Sequence, residues 1–124
     1  MVTVQQATEA LYATGHWLLE QDRFEDAADV FRAMAQATPS DERAWLGLGQ
    51  AHEGAKQPVI AKEMYVTGVA LARGGRCAIA LARVLRQLGN DDAAGVALEF
   101  AQALARDEGD DGLAALVAWE ERQS

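Results

Sequence analysis

The segment WLGLGQAH, residues 45–52, together with Ala61 and Tyr65 further along, decides the fold of this chain. An alanine and an aromatic residue with the same spacing occur earlier, at Ala27 and Phe31, so a shift of 61 − 27 = 34 positions relates the two copies. A period of this length is typical of a repeated supersecondary unit. We therefore expect one structural unit to recur along the chain.

A third, weaker copy consists of Ala94 and Leu98, at a shift of 94 − 61 = 33 positions from the middle copy. A small residue stands 12 positions before the alanine of each copy (61 − 49 for the middle one). These small residues are Gly15, Gly49 and Ala82. If each unit is a pair of helices, the small residue on the first helix meets the alanine on the second, and the two helix axes approach closely.

Residue usage and apolar spacing both predict helices throughout. Only two prolines occur, while Ala, Leu, Glu, Gln and Arg, which lose little on entering a helix, are abundant. Apolar residues recur at spacings of three and four, and short turns divide the chain into seven helices. The predicted stops and caps are Pro39 with Ser40 or Asp41, Pro58, Gly74–Gly75, Gly89 with Asn90 or Asp91, and Gly109 with Asp110 and Asp111. Short connections make sequential helices pack antiparallel.

Length, charge and cysteine content exclude several classes of protein. The chain has 124 residues and a formal charge of −8, which fits one domain and disfavours a nucleic-acid binder, because the field of the protein repels phosphates. The single cysteine, Cys77, excludes an intramolecular disulfide and a multi-cysteine zinc site. Neither a secretory signal nor a membrane span is recognisable, so we expect a cytoplasmic protein that does not associate with membranes.

The repeated unit resembles the tetratricopeptide repeat, in which Trp, Leu-Gly and Tyr on one helix precede Ala and an aromatic residue on the next. His52 and Ala78 depart from this pattern, since they replace the usual Tyr and Trp. The resemblance implies an all-α solenoid of three helical hairpins plus a C-terminal capping helix, forming one domain over 1–124. The expected repeats span about 8–41, 42–74 and 75–108, and the capping helix spans about 110–122. That helix is expected to cover the last repeat with four apolar side chains: Leu113, Leu116, Val117 and Trp119.

Residues with catalytic or metal-binding chemistry do not form a recognisable site. His16 and His52 are too far apart in sequence for a helical metal pair. Ser40 is interpreted as a helix cap, and Cys77 as a small, partly buried helix residue. The acidic cluster within 107–111 lacks the ordered oxygen spacing of a calcium loop. We therefore predict a protein that is not an enzyme and that needs no metal or cofactor.

The first helices of stacked hairpins line a concave face, which is the predicted binding surface. Removing the core positions leaves the predicted peptide-binding set: Tyr12, His16, Leu19, Leu46, Gln50, Glu53, Ile79, Arg83 and Arg86, flanked by Glu9, Arg43 and Arg76. Four of these, Tyr12, Leu19, Leu46 and Ile79, form an apolar stripe that a monomer has little reason to expose. The arginines of the third helix pair are expected to add a positive wall. The alternative is that neighbouring helices cover the stripe.

Residue types limit what such a groove binds. Tetratricopeptide domains that hold the acidic C-terminus of a heat-shock chaperone use a lysine, two asparagines and further basic residues. The matching sites here carry Tyr12, His16 and Gly47, and only Arg76 fits. The groove instead suits an extended, mostly apolar peptide with one acidic side chain near the arginines.

Two stretches resemble a narrower family, the class II chaperones that serve translocators of bacterial type III secretion. They are Leu11-Tyr12-x4-Trp17 through Arg23-Phe24-Glu25-Asp26-Ala27-x3-Phe31, and Arg43-x-Trp45-Leu46-Gly47-Leu48-Gly49. The resemblance, which covers about 9–107, implies an acidic chaperone in the bacterial cytoplasm and a role in virulence. Such a chaperone keeps a hydrophobic translocator soluble by docking an extended segment in its concave groove. Tyr12 keeps the aromatic character usual at its site, whereas His16 and Leu19 depart from it.

Other functions remain open alternatives at this point. A general scaffold would join two folded proteins through its convex or terminal surface, and a needle-subunit chaperone would bind a helix instead of an extended segment. Members of the resembled family also tend to dimerise through an additional N-terminal helix. Only about seven residues precede the first repeat here, which does not fit that mode of dimerisation; a homodimer remains a further alternative.

Overall fold

Seven α-helices follow one another in the computed structural model, which describes residues 1–123. They are α1 (Val4–Glu20), α2 (Phe24–Ala37), α3 (Glu42–Gly54), α4 (Pro58–Ala72), α5 (Gly75–Gln87), α6 (Asp91–Glu108) and α7 (Asp111–Arg122). Helices α1–α2, α3–α4 and α5–α6 pack as sequential hairpins, and α7 follows them. The predicted all-α tetratricopeptide fold is confirmed. None of the helices in this part of the chain is long and apolar enough to span a lipid bilayer.

Helix starts lie where polar caps stand in the sequence. The side chains of Asp41, Asn90 and Asp110 accept hydrogen bonds from backbone N–H groups of α3, α6 and α7. Helix α1 starts at Val4, earlier than the expected repeat start near residue 8. The reason is a capping box, in which Gln6 N–H donates to Thr3 Oγ1 at 3.0 Å and Thr3 N–H donates to Gln6 Oε1 at 2.9 Å.

The helices form two layers. Helices α1, α3, α5 and α7 each contact the next member of the set and make the inner, concave layer. Helices α2, α4 and α6 form the outer layer, and each packs between two consecutive inner helices. Helix α7 contacts both α5 and α6, so it occupies the place of the first helix of a fourth repeat.

The glycines of the repeat meet aromatic rings, which differs from the expected contact with alanine. A Cβ at Gly15 would lie 2.7 Å from the Phe31 ring, and a Cβ at Gly49 would overlap the ring of Tyr65. Phe31 is 1% exposed and Tyr65 is fully buried. The aromatic residue follows the repeat alanine by one helical turn, so its ring projects across the hairpin onto the glycine. Glycine is required at these positions because any side chain would displace the ring.

Candidate functional site

The inner layer contains a groove of about 320 Å³ between α3, α5 and α7. We call it the concave groove, and its lining residues are Leu46, Gln50, Arg76, Ile79, Ala80, Arg83, Leu116, Trp119 and Glu120. Half-buried Leu46 packs on a core cluster that includes Tyr65 and Val84, which fixes the floor on the α3 side. Ile79 is 7% exposed and belongs to the core cluster of the last hairpin.

Four of the predicted binding residues therefore share one groove: Leu46, Gln50, Ile79 and Arg83. The structure brings them together because they recur at the same two turns of α3 and α5, at one shared shift along the sequence (79 − 46 = 33 and 83 − 50 = 33). Equivalent positions on adjacent repeats face the same way. The remaining predicted residues lie outside the lining of this groove, and all nine stay predictions as a binding site.

The α1 part of the predicted site extends along the inner layer, away from that groove. The Tyr12 ring lies edge-on to the Phe31 ring, with the ring centroids 6.5 Å apart. The Arg43 guanidinium lies over the Tyr12 ring, 4.6 Å from the centroid of that ring. His16 Nδ1 lies 2.9 Å from a carboxylate oxygen of Glu20. Leu19 is half-buried against the core of the first hairpin. Tyr12 is thus held by its neighbours, while His16 stays exposed.

Arg43 organises the charges beside Tyr12. Its guanidinium donates to Glu9 Oε1 at 2.7 Å and to Asp41 Oδ2 at 2.7 Å, so it connects α1 to the start of α3. The hydrogen bonds from Arg43 lower the pKa of both carboxyl groups and raise the pKa of Arg43 itself. Both carboxylates therefore stay ionised well into the acidic range.

The expected positive wall is wrong, because each arginine of α5 pairs with a carboxylate. Arg76 lies 3.1 Å from Asp110, and Arg83 lies 3.1 Å from Glu53. Arg86 donates to Glu120 of α7, and the Glu120 residue is only 4% exposed. The carboxylates come from α3, α7 and the turn before α7, elements that only the folded structure brings next to α5. These pairs make the groove polar at its sides without making it strongly cationic.

Glu53 and Arg86 therefore stabilise the packing between helices, and neither residue lines the concave groove. The buried hydroxyl of Tyr65 donates to Glu53, which also accepts from Arg83. Burial raises the pKa of Tyr65, and the Glu53 carboxylate raises it further. Tyr65 thus remains a neutral hydrogen-bond donor that holds Glu53 in place.

Leu116 and Trp119 are groove residues that the sequence interpretation assigned to the cap. Of the four apolar side chains of α7 that were predicted to cover the last repeat, Leu113 and Val117 are buried against the last hairpin as expected. Leu116 is 44% exposed and Trp119 is 52% exposed, and both line the concave groove. One sequence feature could have indicated how α7 docks on α5, and with it which side of α7 faces the groove. Glu120 lies on the same side of α7 as buried Val117, so its carboxylate needs a cation beside it. That cation is Arg86 on α5.

The groove combines an apolar floor with polar groups that can bond a peptide backbone. Gln50 and Arg83 offer donors beside Leu46 and Ile79, so an extended segment can place apolar side chains on the floor and pair its carbonyl groups.

Within 1–123, no group of three or more His, Cys, Asp or Glu side chains is arranged to hold a metal ion. Cys77 is fully buried, not partly as expected, and burial raises the pKa of its thiol to about 12.

A family model of the tetratricopeptide repeat matches residues 8–51. No curated protein sequence matches the chain significantly.

Solved structures that include a translocator chaperone match nearly the whole chain. PcrH, from Pseudomonas aeruginosa, was solved with the chaperone-binding region of PopB; it is 28% identical, with 91% of this chain and 93% of that chain covered and a TM-score of 0.78. SycD, the type III secretion translocator chaperone of Yersinia enterocolitica, is 25% identical, with 97% and 91% covered and a TM-score of 0.80. SycD with a peptide of the translocator YopD gives 25% identity, 93% and 92% coverage and a TM-score of 0.70. The resemblance inferred from the repeat signatures is confirmed at the level of fold.

Proposed function

We propose that this chain, which has the fold of the tetratricopeptide translocator chaperones, is itself a chaperone of a bacterial type III secretion translocator. It binds an extended segment of that client in the concave groove and keeps the client soluble before export. This role places it in the bacterial cytoplasm, and its action is binding without catalysis. One structure of SycD is described as an alternative dimer. The oligomeric state of this chain is therefore a property to measure, and the proposal does not depend on a homodimer.

The observation that carries the proposal is the set of matched complexes. PcrH was solved with chaperone-binding regions of PopB and PopD, and SycD with a YopD peptide. The match to PcrH with the PopD region has 28% identity and a TM-score of 0.78 over 95% of this chain. Three complexes with translocator segments on one fold favour a translocator client over a needle subunit or a pair of folded proteins.

The groove chemistry supports the same conclusion. An extended peptide places alternate side chains on one face, and Leu46, Ile79 and Leu116 offer an apolar surface to such side chains. Gln50 remains exposed on α3 beside this surface and can pair with the peptide backbone. Because the arginines are paired, we expect recognition to depend on apolar side chains more than on one acidic residue.

The test is affinity capture from the source bacterium, with Leu46→Glu and Leu116→Glu beside the wild type. Leu116 is 44% exposed, so its substitution leaves the core intact even if Leu46→Glu weakens folding. Leu71→Glu is the matched control, because Leu71 is 55% exposed on the outer helix α4 and does not line the concave groove. Circular dichroism verifies that each variant is folded.

We expect one protein with apolar, membrane-spanning segments to be recovered with the wild type and Leu71→Glu, and lost with the two groove variants. Recovery of soluble folded proteins that are indifferent to Leu46 and Leu116 would overturn the proposal in favour of a scaffold. Limited proteolysis of the purified complex then identifies the protected client segment. A protected segment that is helical in the complex would instead indicate a needle-subunit type of client.

A further inference from the structure

A second groove of about 420 Å³ lies on the outer layer, between α4 and α6, with α5 as its floor. We call it the outer groove. All of its lining residues are apolar: Val69, Ala78, Leu81, Leu85, Ala93, Val96, Ala97 and Phe100. Val96 is 65% exposed on one wall, and Val66 on the neighbouring turn of α4 is 44% exposed. This surface is more apolar than the concave groove, although it faces the opposite way.

Small side chains line part of the outer groove, and Ala78 is one of them. Ala78 corresponds to Trp45 in the preceding repeat, and the shift of 78 − 45 = 33 equals the shift between the repeat alanines of the same two units. The Trp45 indole donates to the Pro39 carbonyl at 2.8 Å and packs on the core of the first two hairpins. The indole therefore occupies the first junction between repeats, while Ala78 leaves the second junction unfilled.

The chemistry of the lining decides what conformation an occupant adopts. None of the eight lining residues carries a polar side chain, so the groove offers no partner to the N–H and C=O groups of an extended backbone. An unpaired buried backbone group is costly, whereas a helix pairs its own backbone internally. The floor residues Ala78, Leu81 and Leu85 are spaced by three and four along α5, which is the spacing that accepts the ridges of another helix.

Charged residues flank the groove asymmetrically. On α4, Lys62 and Glu63 both stand one helical turn before Val66, and they pair with each other, with the Lys62 ammonium 3.6 Å from the Glu63 carboxylate. On α6, Asp92 and Glu99 stand one turn on either side of Val96. The α6 side is thus acidic along this stripe, whereas the charges on the α4 side are paired. A complementary helix carries basic residues toward α6.

We propose that the outer groove is a second client site, which binds an amphipathic helix by its apolar stripe, with that helix's basic flank toward α6. The proposal rests on the proposed function in one respect, namely that the helix belongs to the same translocator as the extended segment. The two grooves then hold two conformations of one client. The concave groove binds a segment that needs backbone partners, and the outer groove binds a segment that needs none.

The test titrates the isotope-labelled full chain with a synthetic amphipathic peptide of about 18 residues, long enough for five helical turns. Its leucines follow helical spacing, with lysines on one flank and glutamines on the other. One control peptide carries glutamates in place of the lysines, and another has the same leucines with two prolines that prevent a helix. Val96→Glu blocks the outer groove at an exposed position, and Ala78→Trp fills it. Leu71→Glu, on another face of α4, and Leu116→Glu, at an exposed position in the concave groove, are control variants.

We expect NMR shift changes in α4, α5 and α6, and an affinity at least about tenfold weaker for Val96→Glu and Ala78→Trp, as for loss of a central interface contact. The two control variants should bind the helical peptide like the wild type, and both control peptides should bind more weakly. Equal binding by Val96→Glu, or by the proline peptide, would overturn the proposal. So would a wild-type homodimer that Val96→Glu dissociates in sedimentation, since a second copy would then occupy the groove.

The two proposals fail separately. If the helical peptide does not bind but Leu46→Glu and Leu116→Glu lose the translocator, only the outer site is wrong. If the peptide binds as expected but capture returns no translocator, the groove is a helix-binding site and the chaperone function is wrong.

Discussion

The two junctions between repeats differ at one position, and the difference extends to the residue opposite. In the first junction Trp45 stands against Gly68, where a Cβ would lie 2.8 Å from the Trp45 Cβ. In the second junction Ala78 shares a core cluster with Ala101, the counterpart of Gly68 (101 − 68 = 33, as 78 − 45 = 33). A large residue thus faces glycine in one junction, and two alanines occupy the same positions in the other.

This comparison shows how a repeat fold varies its surface through side chains at equivalent positions. The small pair leaves a groove on the outer side, at the position that the Trp45 side chain takes in the first junction. The inner side changes independently, because Leu46 and Ile79 keep an apolar floor in both repeats. A solenoid can therefore acquire a second apolar surface through substitutions that its core tolerates.

The largest effect should come from opening the first junction. Trp45→Ala removes a half-buried indole together with its hydrogen bond to Pro39, and we expect a loss of about 3 kcal/mol in the free energy of unfolding. Urea denaturation followed by circular dichroism measures this change. Trp17→Ala is the control, because Trp17 is 52% exposed, and its loss should be below about 1 kcal/mol. Similar values for the two variants would mean that Trp45 does not close its junction.

A smaller effect should come from the inner side of α5, the helix that floors the open junction. Glu120→Ala leaves the Arg86 guanidinium without the carboxylate that α7 supplies, and we expect a loss of about 2 kcal/mol. Amide exchange should become faster in α7 and remain slow in α2 and α3. Glu121→Ala, at an exposed neighbouring position, provides the control. Uniformly faster exchange would show that α7 is coupled to the whole solenoid and not to its last hairpin.

The smallest effect should come from closing the second junction. Ala78→Trp places an indole in a groove of about 420 Å³, and we expect the free energy of unfolding to rise by about 1 kcal/mol from the added apolar burial. The same denaturation measurement applies. A marked loss of stability would show that Ala101, which replaces glycine opposite position 78, leaves no space for the first atoms of the side chain.

Much of this architecture follows from the sequence, because the repeat period and the caps are local signals. The turns at Asp41, Pro58 and Asn90 are determined by neighbouring residues, and the structure has them where they were predicted. The shared groove of Leu46 and Ile79 follows from the period alone, since equivalent residues of stacked repeats face the same side.

The pairing of charges and the role of α7 were not predictable in this way. Arg86 meets Glu120 across 34 positions, and that contact depends on how α7 docks on α5. Leu116 and Trp119 belong to the exposed side of α7 for the same reason. The outer groove was implicit in the substitution of Ala78 for tryptophan, but its shape required knowledge of the separation between α4 and α6.

Each helix contacts only helices one or two places away along the chain, and this has a consequence for how the protein reaches its folded state. Contacts between near neighbours require only short loops to close, so the entropy lost before the first native contacts form is small. Folding should therefore be fast, with relaxation on the order of microseconds to milliseconds. A chain that refolds this quickly exposes its core only briefly each time it unfolds.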